Sequence, residues 1–207
     1  MTIRGNLKQL SDITICKNDP SNHVVYFIRI HSYNPQIEAF LNTAVEKAYL
    51  SGIIQEGKLT PPDTRQISYF QEIMGDNFSL TVNFIADALA KWMPQIGMDS
   101  RKSISNSLFN MLNELKLAGK NSNIIKNAYI KYMCWLYYRF SQVLGKLSQD
   151  IPLIVYQGDV SIYELQILSV LCNAGCNIIL INPMGEQAYI KLDHTSQSVY
   201  VFQERFK

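Results

Sequence analysis

The sequence predicts an α/β fold: a partly parallel sheet with flanking helices, built around a Rossmann-like βαβ unit and carrying a large helical insertion. Three observations predict this class. Two apolar runs, residues 152–158 and 177–182, lack the alternation of half-exposed strands, which is typical of strands buried on both faces. A helix signal lies between them and opens with a Ser-x-x-Glu capping box at Ser161 and Glu164. The middle of the chain has a helical pattern almost throughout.

The first part of the chain, to about residue 59, carries one predicted strand and one predicted helix. The run "HVVYFIRI", His23 to Ile30, is short and rich in β-branched and aromatic residues, which predicts a strand. Asn34 and Pro35 suit the start of a helix, and Gly52 suits its end. Apolar residues recur at helical spacing between these points, so the helix is expected to have one apolar face.

The middle region begins at a predicted break, "LTPPDTRQ", because two prolines and an aspartate interrupt regular structure there. Three candidate helices follow: Ser79 to Met93, Ser100 to Ala118 and Ser122 to Lys146. The last of them is apolar or aromatic on every face over residues 132–138, which predicts a central helix with neighbours on several sides.

These boundaries predict two parts. Residues 1–59 and 150–207 are expected to form an α/β domain, and residues 60–149 a helical insertion or subdomain. Within the α/β domain, the strands around residues 153–156 and 178–181 are expected to be parallel neighbours. The tail from Gln187 onward alternates more, which predicts a two-stranded ribbon with a turn near His194 to Ser198.

Composition excludes several classes of protein. Hydrophobic residues make up 47% and charged residues 17%, which is typical of a chain that buries a core rather than a disordered one. The net charge of +2 favours no class of partner. No apolar run approaches the length of a membrane span, and no apolar segment follows the charged start, so neither a membrane protein nor a secretory leader is expected. The four dispersed cysteines predict reduced thiols in a cytoplasmic protein.

A ligand site is predicted where the strands end, because ligands of open α/β sheets bind beyond the carboxyl ends of the strands. The candidate residues are Gly158, Asp159, Ser161, Asn182 and Glu186, with His31 and Tyr33 at the rim. The helix that follows would offer backbone N–H groups to an anion, but the carboxylates of Asp159 and Glu164 would repel phosphate. Recognition of hydroxyl or amine groups is therefore expected. The structural alternative is a turn glycine followed by a helix cap.

No complete catalytic signature occurs in the sequence. There is neither a dinucleotide-binding glycine fingerprint nor a P-loop, so no cofactor is assigned. His31 beside Asp159 or Glu186 would suit acid–base chemistry, although a solvated loop histidine explains the residue equally simply. Cys172 and Cys176 lack the partner ligands of a zinc site, so no metal is expected.

A second candidate surface is electrostatic. The segment from Leu115 to Gln149 contains no acidic residue. Its candidate partner-binding residues are Lys120, Lys126, Lys131 and Arg139. Aromatic residues are interleaved with them, and such a mixture can bind phosphates and stack bases. The structural alternative is a solvated basic face over core aromatics. If the region is a binding surface, its partner would be an acidic protein or a nucleic acid, and of the two nucleic acid is not expected.

The stretch from Ile151 to Pro183, about a sixth of the chain, resembles the YceG-like family of bacterial stress-response gene clusters of the tellurite-resistance type. The shared features are a strand ending in Tyr156-Gln157-Gly158, the helix start at Ser161-x-x-Glu164, Leu168, Gly175 and a strand ending in Asn182-Pro183. The resemblance implies a cytoplasmic bacterial component of a biosynthetic module that acts with other products of the same gene cluster. It transfers no catalytic residue.

Three interpretations of function remain open on the sequence. The first is a cytoplasmic ligand-binding or biosynthetic enzyme component that acts on a small polar metabolite, nucleotide-like or sugar-like. The second is a non-catalytic interaction module that uses the basic helical region. The third is a scaffold fragment of a larger assembly.

Overall fold

The computed structural model describes residues 2–3, 25–30, 35–75, 77–181, 186–193 and 201–202. The chain divides into two compact units. Met1–Leu59 and Gln149–Lys207 form the first, the α/β unit, and Thr60–Ser148 form the second, the helical unit.

The α/β unit contains a parallel sheet. Its described strands are β1 (Thr2–Ile3), β2 (Val25–Ile30), β3 (Gly52–Glu56), β4 (Leu153–Gln157), β5 (Asn177–Ile181) and β6 (Val201–Phe202). The central order is β3-β4-β5-β2, and β1 and β6 also pair with β2. Every one of these pairs is parallel. The predicted α/β class is therefore confirmed, as is the parallel pairing of β4 with β5.

The described helices lie in both units. They are α1 (Pro35–Ser51), α2 (Thr64–Met74), α3 (Val82–Trp92), α4 (Met98–Leu117), α5 (Ser122–Tyr138), α6 (Ser141–Gly145), α7 (Ile162–Ala174) and α8 (Glu186–Leu192). In the α/β unit, α1 connects β2 to β3, α7 connects β4 to β5, and α8 follows β5. No helix of the described part of the chain is long and apolar enough to cross a bilayer.

Helices cover both faces of the sheet. On one face, the α1 residues Leu41 and Ala44 share a buried apolar cluster with Ile28 and Ile30 of β2. Side chains alternate along a strand, so Arg29 points to the opposite face. There its guanidinium carbon lies 3.9 Å from the ring centroid of Tyr189 in α8. Two layers of helix around a parallel sheet explain why β4 and β5 are apolar along almost their whole length.

The helical unit is organised around α5. This helix is buried on most of its surface from Ala128 to Leu136, as its all-round apolar sequence predicts. It ends at Tyr138, however, and not near residue 146 as predicted. The chain turns at Arg139 and Phe140 before α6 begins, and this turn places the Phe140 ring in the core, where it is fully buried.

The structure differs from the sequence-based expectations at three other places. The helix α1 ends at Ser51, as the prediction of a helix end at Gly52 implied, but the strand β3 at residues 52–56 was not predicted. Helix α2 begins inside the predicted break, where Asp63 and Gln66 form a capping box. The segment Glu186–Leu192 is a helix and not part of a ribbon. In that helix the Tyr189 hydroxyl donates to Asp193 Oδ2, one turn later, at 2.9 Å. The predicted turn at residues 194–198 lies outside the described residues.

Candidate functional site

The ends of β3, β4 and β5 are joined by backbone hydrogen bonds at the carboxyl edge of the sheet. Gly57 N–H donates to the Gln157 carbonyl at 2.8 Å, and Gly158 N–H donates to the Ile181 carbonyl at 2.9 Å. Gly158 has a φ of 133°, and a Cβ atom there would lie 3.3 Å from Gly57 Cα. Only glycine combines this backbone conformation with so close an approach. The predicted turn glycine therefore fixes how the loop after β4 sits against its two neighbours.

Glu164 is the buried acidic group of this edge, with only 2% of its surface exposed. Its Oε1 accepts from the Leu59 backbone N–H at 2.5 Å and from the Tyr156 hydroxyl at 2.9 Å. Its Oε2 accepts from the Ser161 backbone N–H at 2.7 Å. A buried carboxylate is stable only when such donors compensate for lost water. Glu164 thus ties the chain after β3, the end of β4 and the start of α7 to one point.

Tyr156 is held in its neutral form by this arrangement. Burial raises the pKa of its hydroxyl, and the charge and hydrogen bond of Glu164 raise it further. A proton on Tyr156 at neutral pH means that the hydroxyl is the donor to Glu164 and the carboxylate is the acceptor. At neutral pH the Tyr156 hydroxyl is therefore a hydrogen-bond donor in this contact and not a base.

The start of α7 uses its own backbone donors. The predicted capping box is present: Ser161 Oγ accepts from Glu164 N–H at 3.4 Å, while Glu164 accepts from Ser161 N–H. An anion at a helix N-terminus needs free N–H groups. Two of the donors at this end are already bonded within the box, which weakens the case for phosphate binding here.

Asp159 is the exposed acid of the loop, in contrast to Glu164. The Asp159 backbone carbonyl accepts from the Tyr156 hydroxyl at 3.5 Å, which holds the loop beside the hydrogen bonds of Glu164. The residue itself is exposed to solvent. An exposed carboxylate accepts hydrogen bonds and attracts cations. This chemistry suits hydroxyl or ammonium groups of a ligand.

The structure brings together three of the seven predicted ligand-binding residues, Gly158, Asp159 and Ser161, in one loop. His31, Tyr33 and Asn182 lie outside the described residues. Glu186 begins α8, but its side chain is not among those described. The convergence of these four residues on the loop stays a prediction.

The helices that follow the neighbouring strands β2 and β5 lie on opposite faces of the sheet. They pair in parallel from Phe27 with Ile178 to Ile30 with Ile181. The chain leaves β2 into α1 on one face and leaves β5 into α8 on the other. In parallel α/β sheets such a change of side opens a crevice between the two strand ends, and ligands bind there.

Sequence reasoning missed Tyr156 and Leu59 as parts of the edge. Tyr156 carried a usable signal, because a buried tyrosine in an otherwise aliphatic strand needs a partner for its hydroxyl. Leu59 carried none, since its contribution is a backbone N–H.

The four predicted partner-binding residues lie in the helical unit. Lys126 and Lys131 are five positions apart on α5, so they differ by about 140° around the helix. The Lys131 ammonium lies 4.5 Å from the Trp135 ring centroid, a cation–π contact. Lys120 precedes α5 and Arg139 caps its end, and both are exposed. A common binding surface stays a prediction, and the different directions of Lys126 and Lys131 do not favour it.

Neither metal ligation nor thiol chemistry is supported at this edge. Among the described residues, no group of three His, Cys, Asp or Glu side chains is placed to hold a metal ion. Cys134 of the helical unit and Cys172 and Cys176 of the α/β unit are buried and form no disulfide with one another. Burial raises the pKa of Cys134 to about 12 and that of Cys176 further, so neither is a thiolate at neutral pH.

Removal of the helix cap gives a first prediction. Ser161→Ala is expected to lower the free energy of unfolding by about 1 kcal/mol, because it leaves a first-turn N–H of α7 without its acceptor. Urea denaturation followed by circular dichroism measures the change. Ser161→Thr keeps the hydroxyl and serves as the control, with little change expected. An unchanged stability of the alanine variant would contradict a capping role.

Comparison with known proteins adds one positive finding. The family model described as the YceG domain matches residues 18–205, a segment that includes the strands from β2 to β6 and all eight of the described helices. No match was found among curated proteins or among solved structures.

Proposed function

This chain belongs to the YceG domain family, and from that premise we propose that it binds a small polar metabolite at the carboxyl edge of its sheet. It would act as a ligand-binding or biosynthetic enzyme component of a cytoplasmic bacterial stress-response system, together with proteins of the same gene cluster. The tellurite-resistance setting and the bacterial module are part of this proposal and rest on the resemblance of residues 151–183.

The change of side between β2 and β5 carries the proposal. Two adjacent parallel strands send their following helices, α1 and α8, to opposite faces. This is the position at which open α/β sheets bind their ligands. The loop after β4 adjoins it, since Gly158 N–H bonds the last carbonyl of β5. Asp159 then follows directly as an exposed acidic residue beside that position.

The chemistry of the loop favours a neutral or cationic ligand that offers hydrogen-bond donors. Asp159 supplies acceptor oxygens and a negative charge. The capping box of Ser161 and Glu164 has already used donors that a phosphate would require. A hydroxyl- or amine-bearing metabolite, sugar-like or the sugar part of a nucleotide-like compound, meets both conditions.

An NMR titration tests the proposal with two probes. Glucosamine, which carries hydroxyl groups and an ammonium group, is expected to shift the backbone amide signals of Gly158 and Asp159 and those following Ile30 and Ile181, in a saturable way. Inorganic phosphate is expected to leave them unchanged. Asp159→Ala is expected to abolish the shifts while the free energy of unfolding changes by no more than about 0.5 kcal/mol, as is usual for an exposed site.

The control is Asp87→Ala, which removes an equally exposed carboxylate from α3 of the helical unit and should leave the titration as in the parent chain. If phosphate shifts these amides and glucosamine does not, the class of ligand is wrong. If neither probe shifts them, or if Asp159→Ala chiefly lowers stability, the edge is structural and the proposed function is refuted.

A further inference from the structure

A continuous group of aromatic rings occupies the helical unit, contributed by α2, α3, α5 and the segment before α3. Its members are Tyr69, Phe70, Phe78, Phe84, Trp92, Tyr129, Tyr137 and Tyr138. Neighbouring ring centroids are 4.4–6.5 Å apart, the range of favourable aromatic contacts. Phe70, Trp92 and Tyr129 are buried within it. One end of it reaches the surface.

At the surface end, three tyrosine rings surround the Trp92 indole, and we call Tyr69, Tyr137 and Tyr138 the tyrosine rim. Their ring centroids lie 5.5, 4.4 and 6.5 Å from that of Trp92. Trp92 is 5% exposed, whereas Tyr69 is 46% and Tyr138 is 40% exposed. Two of the three rim side chains are therefore exposed, whereas the indole that they contact is buried. Exposed side chains change rotamer within nanoseconds, so these two rings can move.

The indole N–H of Trp92 is the unexpected feature. Nε1 is buried and has no acceptor among the described residues. The chain's second tryptophan shows the usual arrangement: Trp135 Nε1 donates to the Thr60 carbonyl at 2.9 Å. Buried tryptophan N–H groups nearly always have such a partner. The Tyr129 hydroxyl, in the same aromatic group, is a second buried polar group without a described partner.

We propose that the tyrosine rim and Trp92 form a binding site for a planar aromatic ring that carries a hydrogen-bond acceptor, such as a purine base. The rim supplies ring faces for stacking, which is tolerant of the exact base. The Trp92 N–H supplies one directed donor that the folded chain leaves without an acceptor of its own. These residues belong to the helical unit, so the inference does not depend on the function proposed for the loop around Asp159.

The two indole N–H signals in a ¹⁵N-correlated NMR spectrum test this directly, since the chain contains only two tryptophans. Trp92→Phe identifies the Trp92 signal by its disappearance. Titration with adenosine is expected to move the Trp92 signal downfield as its proton gains an acceptor, and to leave the Trp135 signal in place. Ribose, which has the sugar without the base, is expected to move neither.

Variants separate the site from the general packing of the unit. Tyr138→Ala is expected to weaken adenosine binding about ten-fold, the usual effect of removing one stacking partner. Trp92→Phe keeps an aromatic ring but loses the donor, and about a five-fold loss is expected for one hydrogen bond. Tyr163→Ala is the matched control, because Tyr163 is similarly exposed, at 37%, but lies on α7 of the α/β unit.

Three results would overturn the proposal. One is a Trp92 signal that adenosine does not move, as expected if water alone satisfies the indole. The second is an equal response to ribose, which would show that the base is not recognised. The third is equal weakening by Tyr138→Ala and Tyr163→Ala.

Discussion

Glu164→Ala is expected to lower the free energy of unfolding by about 3 kcal/mol or more, because it leaves several buried donors without an acceptor at once. The Leu59 N–H, the Tyr156 hydroxyl and the Ser161 N–H all bond this carboxylate. An unsatisfied buried donor typically costs about 1–3 kcal/mol. Glu164 is almost completely buried, so water does not readily replace the lost carboxylate. Urea denaturation at neutral pH measures the loss.

Two further variants define what the carboxylate contributes. Glu164→Gln keeps the shape and one acceptor oxygen but presents an amide to one of the donors, so an intermediate loss of about 1–2 kcal/mol is expected. Glu114→Ala removes an exposed glutamate from α4 and should change stability by no more than about 0.5 kcal/mol. Equal effects of Glu164→Ala and Glu114→Ala would show that the hydrogen bonds at Glu164 contribute nothing to stability.

The contact with Tyr156 can be isolated by a double-mutant cycle. Tyr156→Phe removes the hydroxyl and leaves Glu164 with its two backbone donors. Combined with Glu164→Ala, which removes the acceptor, it is expected to show a coupling free energy of about 1 kcal/mol, since the two side chains are in direct contact. Simple additivity of the two changes would mean that the hydrogen bond at 2.9 Å is not formed in solution.

The sequence was most informative where local and tertiary preferences agree. In the unit from β4 through α7 to β5, buried strands, the capping box at Ser161 and the helix end at Gly175 all favour the same structure. Gly175 adopts the left-handed conformation that glycine favours at the end of a helix. Agreement between levels of this kind makes a segment predictable from its own residues.

The missed elements depend on contacts that the local sequence does not contain. β3 follows α1 without an intervening loop, and it is a strand because it pairs with β4, a hundred residues later. α8 is short, and its alternating residues resembled a strand. It is fixed as a helix through Tyr189, which lies under the Arg29 guanidinium and bonds Asp193. Tertiary contacts decide the structure of such short segments.

In the candidate site, too, local sequence predicted some residues, whereas contacts between distant residues had to be seen in the structure. The loop residues Gly158, Asp159 and Ser161 were predicted because strand ends and helix caps have sequence signals. The anchoring role of Glu164 was predicted only as half of a capping box. Its bonds to Tyr156 and Leu59 join residues far apart in the chain, and the aromatic contacts around Trp92 likewise come from three different helices. Such pairings follow from the assembled fold.

Gly52→Ala is expected to lower the free energy of unfolding by about 3 kcal/mol, near the top of the usual range for overpacking a well-packed site. Gly52 is the first residue of β3 and pairs with Leu153 of β4. A Cβ atom at Gly52 would overlap with the Leu153 carbonyl oxygen, and its next neighbours are also backbone atoms of that residue. If the neighbouring atoms belonged to a flexible side chain, that side chain could rotate away. Because they are backbone atoms of β4, the overlap is relieved only if β3 and β4 move apart. Hydrogen exchange should therefore show faster exchange of the amides that link β3 to β4.

Gly145→Ala is the control, because a Cβ atom there meets only a side-chain carbon of Gln95 at 3.5 Å, an ordinary contact. The free energy of unfolding of Gly145→Ala should be unchanged or higher by up to about 1 kcal/mol, because alanine lowers the conformational entropy of the unfolded chain. A Gly52→Ala protein as stable as the Gly145→Ala protein would show that the two strands do not approach each other this closely.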